Sequence, residues 1–149
     1  MENARKLPPL AQLVQIFREK KIRFQIAGMS AAVLQGVPAT TLDTNIWIDL
    51  PKRQYLKLYM LCKELGRKPL AKTVVALSDD SLVNFLFHID GLNSFATEFK
   101  RAQKVKWQDM FIPVVPLERI LKSKKHIQRP KDIADIPLIE QTIKLKKKS

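Results

Sequence analysis

Apolar positions along the chain follow two rhythms, one helical and one extended. Leu10, Leu13, Val14 and Phe17 recur at i, i+3, i+4 and i+7 behind Pro8 and Pro9, which predicts an amphipathic helix opened by proline. Phe24 to Ala27 read as a short strand that meets Gly28, and Ser30 to Leu34 as a small-residue helical turn closing at Gly36-Val37-Pro38. From Leu42 to Leu50 the period becomes two. Asp43, Asn45, Trp47 and Asp49 share one face of that strand, and Thr44, Ile46 and Ile48 share the other, before Pro51 ends it.

Further along, Tyr55 to Leu65 has helical spacing and stops at Gly66. Thr73 to Leu77 and Leu82 to Ile89 are rich in β-branched or aromatic residues and predict strands. Ser94 to Lys104 predicts a helix with Ser94 as its N-cap, and Val105 to Val115 a hairpin turning at Gln108-Asp109. Pro116 to Lys125 and Lys131 to Leu145 predict two closing helices. The sum is an α+β fold: one domain over residues 1–149, a mixed sheet flanked by helices, and a basic tail fraying at about 144–149.

Composition narrows this picture. The 149 residues suit one domain, and 46% hydrophobic content supports a packed core. The uncharged stretch Ile26 to Leu42 is too short and too broken by Gly and Pro to span a bilayer, and the opening residues do not read as a leader. The single cysteine, Cys62, excludes an internal disulfide and a cysteine metal cage, and reads as a buried thiol. A cytoplasmic protein without membrane attachment is the expectation. Net charge is +13, concentrated at the ends: Lys104 to Ser149 holds twelve basic against five acidic residues. Such a surplus suggests a polyanionic partner, although a run like Lys144, Lys146, Lys147 and Lys148 also reads as a solvated end.

Chemistry concentrates in Gly28-Met29-Ser30, Thr41 to Ile48 and Val83-Asn84-Phe85. A strand running into Gly-x-Ser at a helix start suits phosphate, because glycine admits close approach and free N–H groups favour negative charge. Thirteen residues after Ser30 comes a strand with oxygen-bearing side chains at Asp43 and Asn45. Residues i and i+2 of a strand point the same way, roughly 6.5–7 Å apart. Two carboxylates so placed can share Mg²⁺ ions that also hold nucleotide phosphates.

On these residues the chain resembles the DNA-polymerase-beta-like nucleotidyltransferases, and within them the branch of minimal nucleotidyltransferases and AbiEii-type toxins. Val83 to Leu86, Ile89 to Leu92, Ser94-Phe95 and Glu98-Phe99 resemble that branch's central strand and following helix. Val114 to Ile120, Ser123-Lys124, Arg129 to Asp132 and Asp135 resemble its closing segment. The resemblance implies a catalytic and metal set at Asp43, Asn45 and Asn84, with Asp43 and Asn45 holding Mg²⁺ or Mn²⁺. It implies nucleotide contacts from Gly28, Ser30, Thr41, Lys124, Arg129 and Lys131. The implied partners are an NTP with an RNA or protein acceptor, or an antitoxin.

The family's D-x-D becomes Asp43-Thr44-Asn45, its third carboxylate becomes Asn84, and its arginine before the strand falls at Ala39. An amide offers one neutral oxygen where a carboxylate offers a charged pair, so any metal is held weakly. An amide also cannot take a proton from an attacking hydroxyl at neutral pH. Two readings follow: a nucleotidyltransferase with a degenerate site, or an inactive relative that binds nucleotide, RNA or a partner protein. Asp49 and Asp90 lie too far along their segments to replace the missing acids. Trp47 reads as core or rim packing, or as a stacking partner for a base.

Overall fold

The computed structural model of the chain describes residues 7–62, 68–69 and 73–148. Helix α1 (Pro9–Glu19) begins at Pro9, where a missing N–H costs nothing, and buries Ala11, Leu13, Val14 and Phe17. Strand β1 (Phe24–Ala27) leads into helix α2 (Gly28–Leu34), and strand β2 (Asp43–Ile48) returns antiparallel to β1. A 3-10 turn (Lys52–Gln54) opens helix α3 (Tyr55–Cys62). The rest of the helix expected to Leu65, and the side chain of Cys62, lie outside the described residues.

Strands β3 (Lys68–Pro69), β4 (Val74–Ala76) and β5 (Leu82–Leu86) follow, then helix α4 (Phe95–Phe99), strands β6 (Gln103–Trp107) and β7 (Met110–Val114), and helices α5 (Leu117–Ile127) and α6 (Pro130–Lys148). They form one seven-stranded sheet in the order β3-β4-β5-β2-β1-β7-β6. The sheet is mixed: β2–β5 and β1–β7 are parallel, the other pairs antiparallel. The expected α+β architecture is therefore present. No helix among the described residues is long and apolar enough to cross a membrane.

Register explains the two faces. Phe24 lies opposite Ile48 and Ile26 opposite Ile46, so these four side chains share the face that packs on α1. Phe17 meets Phe24 at 5.4 Å and Phe85 edge-on at 6.3 Å between ring centroids. Each fully buried aliphatic or aromatic side chain there contributes about 1.5–3 kcal/mol. Gln25 lies opposite Trp47, and Ala27 opposite Asn45, on the other face. Trp47 is 1% exposed and packs edge-on against Phe95, so the packing role is the one realised. Neither Gln25's side-chain amide nor the Trp47 indole N–H has a protein partner.

Four expectations change in detail. The helix from Ser94 stops at Phe99 instead of Lys104, because Gln103 already pairs with Val114 in β6. Ser94 still caps it, accepting from the Thr97 N–H at 3.3 Å. Strand β5 ends at Leu86 instead of Ile89, since its parallel neighbour β2 stops at Ile48 and offers no further partners. The final helix continues to Lys148 through the segment expected to fray. The short strand β3 was not foreseen at all.

Candidate functional site

The site begins where β1 ends. Ala27 faces Asn45 across the antiparallel β1–β2 pair, and Asn45 faces Asn84 across the parallel β2–β5 pair. The two amides therefore sit side by side on the same face, with Asp43 two residues earlier on β2. Asn84 donates from Nδ2 to Asn45 Oδ1 at 3.4 Å, and its own Oδ1 accepts from the Thr73 hydroxyl at 3.1 Å. Thr73 is a member of this network that sequence reading missed. It lies outside the motif, and only the β4–β5 pairing carries it beside Asn84.

Gly28 has φ +57°, and a Cβ added there would lie 2.5 Å from Asn45 Nδ2. The left-handed backbone is what favours glycine here, and a Cβ would also push the end of the Asn45 side chain aside. Ser30 does not line the cleft. Its hydroxyl donates to the Ala27 carbonyl at 2.7 Å and accepts from the Asn45 N–H at 2.9 Å, while the residue is 8% exposed. The Ser30 hydroxyl is thus engaged in tying α2 to β2.

The remaining expected residues do come together. A cleft of about 460 Å³ is lined by Gly28, Thr41, Asp43, Asn45 and Asn84 on the sheet side. Lys124, Arg129 and Lys131 line it from the α5–α6 side. Its volume falls in the roughly 300–1,000 Å³ range of small-molecule sites. Ala39 also stands in the lining. Asp49 is on the opposite end of β2 and pairs with Arg23 at 2.7 Å, away from the cleft. Asp90 does reach the cleft wall, where His88 contacts it at 2.9 Å.

The cations of the cleft are largely committed. Lys124 is 7% exposed and its ammonium donates to Asp132 at 3.0 Å and Asp135 at 3.2 Å. Arg129 donates from Nε to Asp132 at 2.7 Å, and Asp132 also accepts the Arg129 N–H, as an acidic N3 residue does at a helix start. Burial would raise the Asp132 pKa, but the hydrogen bonds from Arg129 and Lys124 outweigh it and hold it at about 2. Sequence reading placed Asp132 and Asp135 in the closing segment without their lysine partner, because a contact between α5 and α6 is set by packing. Lys131 is exposed at the rim. Four aspartates (43, 90, 132, 135) thus face three Lys and Arg side chains, a formal balance of −1.

The donor set does not fit a catalytic divalent metal. Among the described residues no group of three His, Cys, Asp or Glu side chains comes together as a metal site. Asp43 is the one carboxylate that β2 and β5 bring to the cleft, and both neighbouring amide oxygens already accept hydrogen bonds. Mg²⁺ dehydrates reluctantly and is usually held by carboxylates plus phosphate oxygens.

A second ion pair braces the cleft from behind. Glu98 of α4 is 1% exposed and receives Arg119 Nε at 2.8 Å and Nη2 at 2.6 Å, with the Asn93 N–H adding a third bond at 2.9 Å. The Arg119 guanidinium holds the Glu98 carboxyl below its usual range against the opposing effect of burial.

No protein-family model and no curated protein sequence matches the chain. Solved structures do. The lincomycin-bound lincosamide antibiotic adenylyltransferase LnuA superposes with a TM-score of 0.60 at 15% identity, over 94% of this chain and 99% of that one. The antibiotic-resistance factor ANT(2'')-Ia gives 0.63 at 12% identity, over 91% and 82%. An antigenic nucleotidyltransferase-like protein from Paracoccidioides brasiliensis gives 0.55 at 15%, over 88% and 74%. With the sheet order and the cleft at the β1–α2 turn, these likenesses establish that the chain carries the nucleotidyltransferase fold.

Proposed function

We propose that the chain is a nucleotidyltransferase-fold binding protein that does not carry out metal-dependent nucleotidyl transfer. The observation that carries this reading is the Thr73–Asn84–Asn45 hydrogen-bond chain in the place where the fold's chemistry asks for carboxylates. One amide can donate to another with no cation between them; two carboxylates cannot. The cleft keeps the size of a small-molecule site, and Thr41, Lys131 and the Arg129 guanidinium stand at its lining to meet a nucleoside triphosphate. The neighbours whose names include adenylyltransferase and nucleotidyltransferase support a nucleotide as the ligand class. A narrower place beside the AbiEii-type toxins, with an antitoxin as partner, rests on sequence motifs alone.

Thermal denaturation with each of the four NTPs, in Mn²⁺ and in EDTA, tests this. The reading predicts a stabilising shift of equal size in both, reduced in Lys131→Ala, and no label transferred from α-labelled NTP to RNA or protein. Label transfer that is lost in Asp43→Ala would overturn it.

A further inference from the structure

The +13 surplus does not lie in the cleft, whose ionisable side chains sum to −1. It therefore lies on the other surfaces of the chain. We infer that the β6 edge and the last turns of α6 form a docking surface for single-stranded nucleic acid, separate from the cleft.

Strand register builds the first half of this surface. Lys104 lies opposite Pro113 and Lys106 opposite Phe111 in the β6–β7 hairpin, so these four residues share one face of the sheet. The alternate residues Val105 and Ile112 turn inward, Ile112 being 2% exposed. Phe111 is 59% exposed, a large apolar ring held in water directly beside a lysine. The Arg18 guanidinium bonds the Phe111 carbonyl and adds a further cation at this strand.

A groove of about 640 Å³ supplies the second half. Lys104 lines it together with Lys146 and Lys147 of α6, facing a single acidic residue, Glu118. The groove thus continues the lysine line of β6 onto the helix. Lysines at an edge strand discourage edge pairing, and lysines at a helix C-terminus suit its dipole. Neither reason explains an exposed phenylalanine placed among them. Cations that follow a phosphodiester backbone, with an aromatic ring on which a base can stack, are the recognition chemistry of single strands. A paired duplex has no free base face for Phe111, so the single strand is the preferred form.

The test is fluorescence anisotropy of the full chain with labelled oligouridine, with oligodeoxythymidine, and with the corresponding duplexes. Three phosphate contacts from Lys104, Lys106 and Lys147 give a log–log salt slope of about −2 on single strands, and Lys104→Gln/Lys147→Gln reduces it to about −0.7. The charge-matched surface pair Arg53→Gln/Lys57→Gln leaves the slope unchanged. Phe111→Ala weakens single-strand binding about tenfold, the size of one lost base stack, without altering the slope. Tighter binding of RNA than DNA, or equal binding, both support the site and identify whether the 2′-hydroxyl is read. Preference for duplex, equal loss in the two double variants, or binding only to phosphatidylserine vesicles would overturn it. Failure of NTP to bind the cleft leaves these outcomes intact, so the two sites stand or fall separately.

Discussion

Asn84 donates its side-chain amide to Asn45 across 3.4 Å, at the position where the parallel β2–β5 register sets the two residues side by side. An amide is both donor and acceptor, so Asn84 gives a proton to Asn45 while its own oxygen accepts from Thr73. Both side-chain oxygens thus have a hydrogen-bond donor without any ion.

Replacing both amides with acids breaks that self-sufficiency. Two carboxylates at this separation repel by about 1 to 4 kcal/mol, depending on how well water screens them. Asn45→Asp/Asn84→Asp is expected to melt at lower temperature than the wild type in EDTA and to recover in Mn²⁺. Equal melting temperatures in EDTA would show that the amide pair contributes nothing.

Gly28 and Asn45 are coupled sterically. Gly28→Ala adds both left-handed strain and a Cβ that lies 2.5 Å from the Asn45 amide nitrogen. The expected loss is about 2–3 kcal/mol in the wild type and about 1 kcal/mol in an Asn45→Ala background, where only the backbone strain remains. Urea denaturation of the four proteins in that cycle measures the difference. Additive losses would place the strain in the backbone alone.

The buried Glu98–Arg119 pair and Asp132 set the acid limb of stability. Both carboxyls titrate below their ordinary values in the folded protein, Asp132 at about 2 against a reference of 3.8. A depressed folded-state pKa gives stability that is present in full above the unfolded value and lost as pH falls through the folded one. Urea midpoints should therefore hold steady above about pH 5 and decline toward pH 2. Arg119→Met, which leaves Glu98 buried without its partner, is expected to cost about 3–5 kcal/mol at neutral pH. Glu98→Gln/Arg119→Met should recover part of that loss.

The β6–β7 turn offers a stabilising change. Gln108 and Asp109 have φ +50° and +61°, the double left-handed conformation of a tight hairpin turn. Asp109→Gly relieves left-handed strain of about 1–2 kcal/mol against glycine's entropic cost and is expected to raise stability by about 0.5–1 kcal/mol. Calorimetry reads it as a higher melting temperature. A lower one would mean that Asp109 is held by more than the turn.

Local periodicity carried most of this fold into view. The i, i+3, i+4, i+7 spacing of Leu10 to Phe17 and the period-two face of Asp43 to Ile48 both correspond to the observed elements. The hairpin turn at Gln108-Asp109 was legible even without glycine. Less visible was everything decided across the sheet. Helix α4 stops early because β6 claims Gln103 for Val114, a pairing that local propensity does not encode. At the cleft, Asp43, Asn45 and Asn84 were legible through their spacing and motif. Yet the commitment of Ser30 to Asn45, and of Lys124 to Asp132 and Asp135, depends on packing between separate elements. Side chains that read as ligand contacts along the chain became internal ties once folded.

Electron paramagnetic resonance of Mn²⁺ titrated into the wild type, Asp43→Ala and Asn45→Asp/Asn84→Asp tests the central claim most directly. The account predicts no saturable site in the wild type, an unchanged trace in Asp43→Ala, and one bound ion in the double variant. A saturable Mn²⁺ site in the wild type that disappears in Asp43→Ala would contradict it.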